Sequence, residues 1–525
     1  MGTNIIVVLA DDLGYSDIGS YGGEIDTPSL DRLAAGGVRA SSFYNTARCS
    51  PSRASLLTGR HPHETGIGVL NDYLGPEGYP GTMSSDFPTI AELLRARGYA
   101  TCLAGKWHLS ADTSEPNASW PTRRGFDDFY GILAGASSYF APPLFEGEDK
   151  VVVPPGEDYY FTDAASAHAA GFIRAQAEND APFFLYLAYT APHWPLHARQ
   201  EDIRKYENRF NEGWDVLREQ RLDRLRASGV LPEDSALSAR DATQDAWDDV
   251  EHKAWQAHRM AVYAAQVEAM DRGIGAVVDA LEQTGRLDDT LIVFLSDNGA
   301  CAEEVPPPGS WKFRLRNPSH TRDGRPIALG NQPDIWPGGE DTYSSYGKAW
   351  ANLSNTPFRL YKSWVHEGGI ATPLIAHWPA GGLAAGAVMP GANQLTDILP
   401  TLLEAAGSGD ALAGYPGTSM LPALRGQDPA RPHPLFWEHL GNCAARDGRW
   451  KVVREADKNW ELYDIEKDRA EEHDLAAEHP EVVEALVSAW QTWADGVGVI
   501  PWPRLQELLR NAAEKDKASI PAIFR

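Results

Sequence analysis

Apolar positions along this chain gather into short continuous runs rather than alternating with polar ones. The clearest are NIIVVLA (4–10), YATCLA (99–104), PFFLYLAY (182–189), TLIVFLS (290–296) and TPLIAHW (372–378). Runs of this length and continuity are the mark of strands buried on both faces. Between them the spacing changes to that of amphipathic helices. FPTIAELLRARG (87–98) stops at Gly98, a long run over 257–285 ends at Gly285, and LTDILPTLLEAAG (395–407) carries an internal Pro400. Strand–helix alternation predicts an α/β fold with a mainly parallel central sheet flanked by helices.

Two regions break the rhythm. Residues 110–160 and 301–350 are rich in Pro, Gly, Trp and Tyr with weak periodicity, as substrate loops often are; the only low-complexity feature is PPP at 306–308. Their aromatic residues (Trp120, Tyr139, Phe140, Trp311, Trp336, Tyr343, Tyr346, Trp350) could stack on a ligand ring or pack as core. Residues 201–256 are charged, Trp-bearing, and expected to be helical and peripheral. After about residue 430 the pattern becomes that of antiparallel strands with polar turns, HPLFWEHL, RWKVVRE and WELYDIEKD, followed by an amphipathic helix. This predicts a large domain over 1–430 and a smaller α+β C-terminal subdomain over 431–525, with a short antiparallel sheet and a helix.

Composition narrows the function. The chain has 525 residues, 43% hydrophobic and 23% charged, which is globular. No apolar run is long enough to span a bilayer, and no export signal is read at the N-terminus. Four scattered cysteines, at 49, 102, 301 and 443, fit a reducing cytoplasm, so the expected location is cytoplasmic. A formal net charge of −26 repels nucleic acid and anionic membrane. Against it, three local cationic clusters stand out: Arg48/Arg53, Lys106/His108 and Lys362/His366.

The ends of the apolar runs carry the chemistry. Residues 4–10 lead into Asp11-Asp12, 99–104 into Lys106 and His108, 182–189 into His193, and 290–296 into Asp297-Asn298. Ligands of open α/β sheets bind beyond the carboxyl ends of the strands. Asp11, Asp12, Asp297 and Asn298 form an all-oxygen set suited to Ca2+ or Mg2+. Lys106, His108, His193, Lys362 and Arg53 would surround it with donors suited to a tetrahedral oxyanion. Taken singly, each is also an ordinary cap, turn or surface residue. Cys49 lies between Arg48 and Arg53, where Ser50 and Pro51 read as N-cap and first residue of a helix that stops at Gly59. That position lowers a thiol pKa and favours anions, so the residue reads as an activated thiolate or part of an anion site.

Here the chain resembles a known family. CSPSRASLLTG (49–59) matches the Cys-x-Pro-x-Arg signature of type I sulfatases, and GYATCLAGKWH (98–108) matches the second sulfatase signature. ADDLGY, APHWP, SDNGA and LYKSWVHEGGIATPLI follow in the family's order, so the resemblance spans residues 5 to 375. It is strongest to the bacterial arylsulfatase branch of the alkaline-phosphatase superfamily. The resemblance implies that a formylglycine-generating enzyme oxidises Cys49 to formylglycine, whose hydrate is the nucleophile. It implies Ca2+ (Mg2+ less so) held by Asp11, Asp12, Asp297, Asn298 and an oxygen of residue 49. Arg53 would stabilise the diol, Lys106 and Lys362 grip sulfate, and His193 protonate the leaving alcohol. His108 would take the second diol proton, and Asp297 would help deprotonate the attacking oxygen. The implied substrate is a small sulfate ester, aryl sulfates foremost. The alternative is a phosphonate monoester hydrolase or phosphodiesterase of the same superfamily. Those relatives resemble Asp-His at the second metal motif, where this chain has Asp297-Asn298.

Overall fold

In the computed structural model, which describes residues 2–305, 319–408, 414–427 and 429–519, the first apolar run is strand β1 (Asn4–Ala10), every residue of it buried. The sheet is built outward from it. Strands β2 (Val38–Tyr44), β3 (Ala100–Lys106), β4 (Asp128–Ile132), β5 (Leu144–Glu146), β6 (Asp149–Val151), β7 (Phe183–Ala188) and β8 (Thr290–Ser296) follow in the chain. Across the sheet, β8, β1, β7, β3 and β4 run side by side and parallel, with β5 and β6 added as an antiparallel edge hairpin.

Helices cover both faces. They are α1 (Pro28–Gly36), α2 (Cys49–Thr58), α3 (Ile90–Arg95), α4 (Phe161–Gln176), α5 (Gln200–Lys205), α6 (Gly213–Ala227) and α7 (Lys253–Gln283), with further helices after Ser296. The period-2 geometry of a strand sends alternate residues to opposite faces. Ile6, Val8 and Ala10 therefore join one core with residues of α1, α4 and α7. Ile5, Val7 and Leu9 join a second core with residues of α2, α3 and helix Ile398–Ala405. The result is helix layer, sheet, helix layer.

The run over 372–378 departs from the expectation of a parallel strand. It splits into Ala371–Thr372 and Leu374–His377, antiparallel to β2 and, for the longer piece, also to β8. The reason lies at the strand ends. The amide of Gly299, just past β8, donates to the carbonyl of Gly369 at 3.1 Å. The chain thus enters this strand from the carboxyl edge of β8 and can only run back along it.

Residues 201–256 are not wholly peripheral either. Arg221 of α6 is fully buried and pairs with Asp17 at 2.8 Å and Glu24 at 2.7 Å. Trp214 and Trp247 pack edge to face against each other, and both pack against Trp350. Of the other loop aromatics, Trp120, Tyr139, Tyr343 and Tyr346 are buried, Phe140 packs partly buried against the core, and Trp336 is exposed. Trp311 and the PPP run lie outside the described residues.

A four-stranded antiparallel sheet forms near the C-terminus from Leu435–His439, Asn442–Asp447, Trp450–Arg454 and Glu461–Asp464. Helix Pro480–Val497 covers one face through Leu486, Trp490 and Ala494. The other face, through Trp437, Ala444 and Val453, belongs to the main core. Trp437 Nε1 donates to the carbonyl of Asn45 at 2.8 Å, so this sheet braces the segment that leads from β2 to Cys49.

Candidate active site

Four parallel strands deliver their carboxyl ends to one edge of the sheet, and the polar residues that follow them meet there. Asp11 and Asp12 leave β1, Lys106 ends β3, His193 follows β7 through a short turn, and Asp297-Asn298 leave β8. Each is at most 6% exposed. The turn is fixed by its backbone: Asp11 N–H donates to the carbonyl of Ala191 at 3.0 Å, and Asp297 N–H to that of Ala10 at 3.1 Å.

Helix α2 brings in Cys49 and Arg53. Arg48, not Ser50, occupies the extended capping position, and Cys49 is the first helical residue. No side chain caps the helix; Ser52 Oγ instead accepts Thr46 N–H at 3.2 Å, tying the preceding turn to the first turn of α2, while Ser50 Oγ is buried with no hydrogen-bond partner among the described residues. Gly59 ends the helix in the left-handed conformation, as expected of a residue without Cβ. One turn in, Arg53 is fully buried and donates from Nε and Nη2 to Asp297 Oδ2 at 3.1 and 2.8 Å, and from Nη1 to the carbonyl of Lys106 at 3.0 Å.

The remaining cations sit on the carboxylates. Lys106 Nζ is 2.5 Å from Asp11 Oδ2, and Lys362 Nζ donates to Asp12 Oδ2 at 2.9 Å. Burial raises the Asp12 carboxyl, but Lys362 and His193 outweigh it and hold the group well below the usual carboxylate range. Burial and the neighbouring Asp11 push Asp297 up to about 6 despite Arg53. Asp11 Oδ1 and Asn298 Oδ1 are buried and have no hydrogen-bond partner among the described residues. Two orphaned hard acceptors beside mutually repelling carboxylates are what a divalent cation satisfies. The Asp-rich site is compatible with such an ion.

The two histidines are held differently. His193 Nδ1 donates to the carbonyl of Trp194 at 2.5 Å, which turns Nε2 toward Asp12 Oδ2 at 3.5 Å. The Tyr139 hydroxyl donates to the carbonyls of Thr190 and His193, both at 2.8 Å, anchoring that turn. Burial pushes His193 down to about 4, against the pull of Asp12. His108 is held well below the usual imidazole value by burial, with Lys106 and Arg53 adding to it. Its Nδ1 has no hydrogen-bond partner among the described residues.

Every residue singled out at the strand ends and in helix α2 therefore reaches this one cluster. His366, grouped with Lys362 by sequence, does not: its Nε2 lies 3.4 Å from Glu461 Oε2 in the C-terminal sheet. Sequence reading missed the supporting contacts. Arg48 Nη1 pairs with Glu303 at 2.6 Å and donates to Ser363 Oγ at 2.9 Å, tying helix α2 to the Lys362 loop. Asn355 accepts the amide of Ala300 and donates to the carbonyls of Leu360 and Gly368, fixing that loop against the end of β8. Gly135 lies against the His108 ring, where a Cβ would stand 2.3 Å from Nε2. No local spacing signals any of these.

Comparison with known proteins agrees with the geometry. The Sulfatase family model matches residues 3–408. An uncharacterized sulfatase of Schizosaccharomyces pombe is 33% identical over 95% of both chains. The arylsulfatase of Klebsiella aerogenes is 35% identical over 77% of this chain and 86% of its own. Among solved structures, Ps i-CgsB in complex with k-i-k-neocarrahexaose superposes with a TM-score of 0.69 at 28% identity, covering 94% of this chain and 93% of its own. The chain belongs to the sulfatase family of the alkaline-phosphatase superfamily and is a sulfuric ester hydrolase.

Proposed function

We propose that the chain hydrolyses sulfate monoesters, aryl sulfates among them, using a formylglycine derived from Cys49 and a Ca2+ ion. The observation that carries this reading is the charge balance of the buried cluster. Three carboxylates (Asp11, Asp12, Asp297) face three cationic side chains (Arg53, Lys106, Lys362), and the set is neutral as built. A divalent ion leaves it with two positive charges, the complement of a sulfate monoester anion and an ionised nucleophile.

The ion would be held by Asp11, Asp12, Asp297, Asn298 and an oxygen on residue 49, and would supply Lewis acidity toward the oxygens of the sulfuryl group. The hydrated aldehyde would supply a nucleophilic hydroxyl and a second hydroxyl whose deprotonation frees sulfate by C–O cleavage. The chain's own residues do the rest. Arg53, locked to Asp297, holds the residue-49 oxygens at the helix N-terminus. Lys106 and Lys362, paired with Asp11 and Asp12 in this structure, would be available to grip the sulfate oxygens with those carboxylates on a cation. Asp297 receives the proton of the attacking hydroxyl.

His193 gives a proton from Nε2 to the leaving oxygen. Its Nδ1–H is committed to the Trp194 carbonyl, so Nε2 carries a proton only in the imidazolium form, which an anionic substrate favours. His108, kept neutral by its surroundings, takes the proton of the second hydroxyl. The proposed division is a catalytic domain over 1–430 and a C-terminal subdomain over 431–525, whose Trp437 braces the approach to Cys49.

The reading is tested by rate profiles on aryl, alkyl and carbohydrate sulfates beside phosphonate monoesters and phosphodiesters. Aryl sulfates should be the best substrates. A phosphonate or phosphodiester turned over faster than every sulfate would overturn it in favour of the phosphodiesterase alternative.

A further inference from the structure

A second convergence of ligating side chains lies away from the catalytic edge. Cys102 of β3 and Asp128 of β4 are direct partners across a parallel ladder, so both side chains leave the same face of the sheet. Helix α4 covers that face and brings His168 down onto the pair. The Cys102 sulfur, a carboxylate oxygen of Asp128 and a ring nitrogen of His168 all lie within 4.8 Å of one another. His168 Nε2 is 3.0 Å from Asp128 Oδ2. The Tyr130 ring stacks on the imidazole at 4.9 Å with planes 13° apart, which fixes its orientation.

We propose that Cys102, Asp128 and His168 form a binding site for a zinc-class divalent ion, distinct from the catalytic metal site. Four arguments support it. Bonds of about 2.0–2.3 Å in a tetrahedron place ligand atoms roughly 3.3–3.7 Å apart, so the three donors need only small shifts to close on one ion. The donor set, one sulfur, one nitrogen and one oxygen, matches a borderline-soft ion and not the hard cation that the all-oxygen catalytic cluster suits. Charge also balances: one thiolate and one carboxylate neutralise a divalent ion, with the imidazole uncharged. Finally, Cys102 is fully buried while the side chains of Asp128 and His168 are 38% and 22% exposed. That leaves a path for entry and room for water as fourth ligand.

Binding would release the Cys102 thiol proton to solvent and replace the His168–Asp128 hydrogen bond with bonds to the ion. The site lies about 13 Å along β3 from Lys106, four residues away at about 3.3 Å per residue. The ion would therefore clip β3, β4 and α4 together behind the catalytic edge without reaching it.

The test uses Co2+ as a spectroscopic probe, added to the full chain in excess Ca2+, which keeps the catalytic cluster filled. The expected result is one Co2+ per chain with a thiolate-to-cobalt charge-transfer band in the near ultraviolet, displaced by Zn2+. The band should be lost in both Cys102→Ser and His168→Asn, although Cys49, Cys301 and Cys443 remain. His168 is partly exposed, so its variant keeps the test valid if Cys102→Ser misfolds. No band in the wild type, or a band that survives either substitution in folded protein, would overturn the proposal.

Discussion

Arg53 presents two nitrogens to one oxygen of Asp297, Nε at 3.1 Å and Nη2 at 2.8 Å, with both side chains fully buried. The other oxygen of Asp297 accepts the amide of Asp12 at 3.2 Å. Through these bonds, one residue of helix α2 sets the position of the carboxylates at the ends of β1 and β8. Removing one partner of a buried pair leaves an uncompensated charge, at a cost of about 3–5 kcal/mol. Arg53→Ala should therefore lower the unfolding free energy by roughly that amount and abolish turnover. Denaturant titration that finds less than about 1 kcal/mol of loss would contradict this assignment.

His193→Ala should separate substrates by leaving group. General-acid assistance contributes about 10²–10⁴-fold where the departing alkoxide is poor and much less for an activated phenolate. The rates of an alkyl sulfate and 4-nitrophenyl sulfate, measured on the same variant, should fall unequally, the alkyl ester more. Equal losses would remove His193 from the acid role.

Gly135→Ala would place a methyl group 2.3 Å from His108 Nε2 and displace the ring. A misplacement of about 1 Å at a reacting group can cost roughly 100-fold in rate, so kcat should drop by 10- to 100-fold while the fold is kept. Unchanged kcat in a folded variant would show that the ring position is not critical.

Acid sensitivity has a traceable source at His197. Its Nε2 donates to the Thr342 carbonyl at 2.7 Å, and burial pushes the ring down to about 4 from an ordinary 6.5. The unfolded chain takes up a proton near 6.5 and the folded chain does so only near 4, so stability is lost as pH falls through this interval. The loss from this group is about 3 kcal/mol at most. Denaturation midpoints at pH 7 and pH 4.5 should differ more for the wild type than for His197→Gln. An identical difference in both proteins would relocate the sensitivity to another group.

Much of this was legible in the sequence because burial on both faces leaves an unbroken apolar run. β1 and β8 could be bounded to the residue for that reason. β2 was not seen: VRASSFY carries the half-buried Arg39 and Ser41 on one side and reads as polar. Strand Val388–Gln394 contains Pro390 and Gly391 and reads as a turn. The site residues were legible where they follow strands or sit in a dense motif. Arg48–Glu303, Asn355 and Gly135 were not, since their meaning lies in contacts across long separations. Cys102, embedded in an apolar run, gave no hint that Asp128 and His168 would face it.

The proposed chemistry requires an aldehyde at residue 49. Intact-peptide mass spectrometry across Cys49, on protein that turns over an aryl sulfate, measures its chemical state directly. The account predicts replacement of sulfur and two hydrogens by one oxygen, in a fraction that rises in proportion to specific activity across preparations. Full activity with an intact thiol at residue 49 would contradict it.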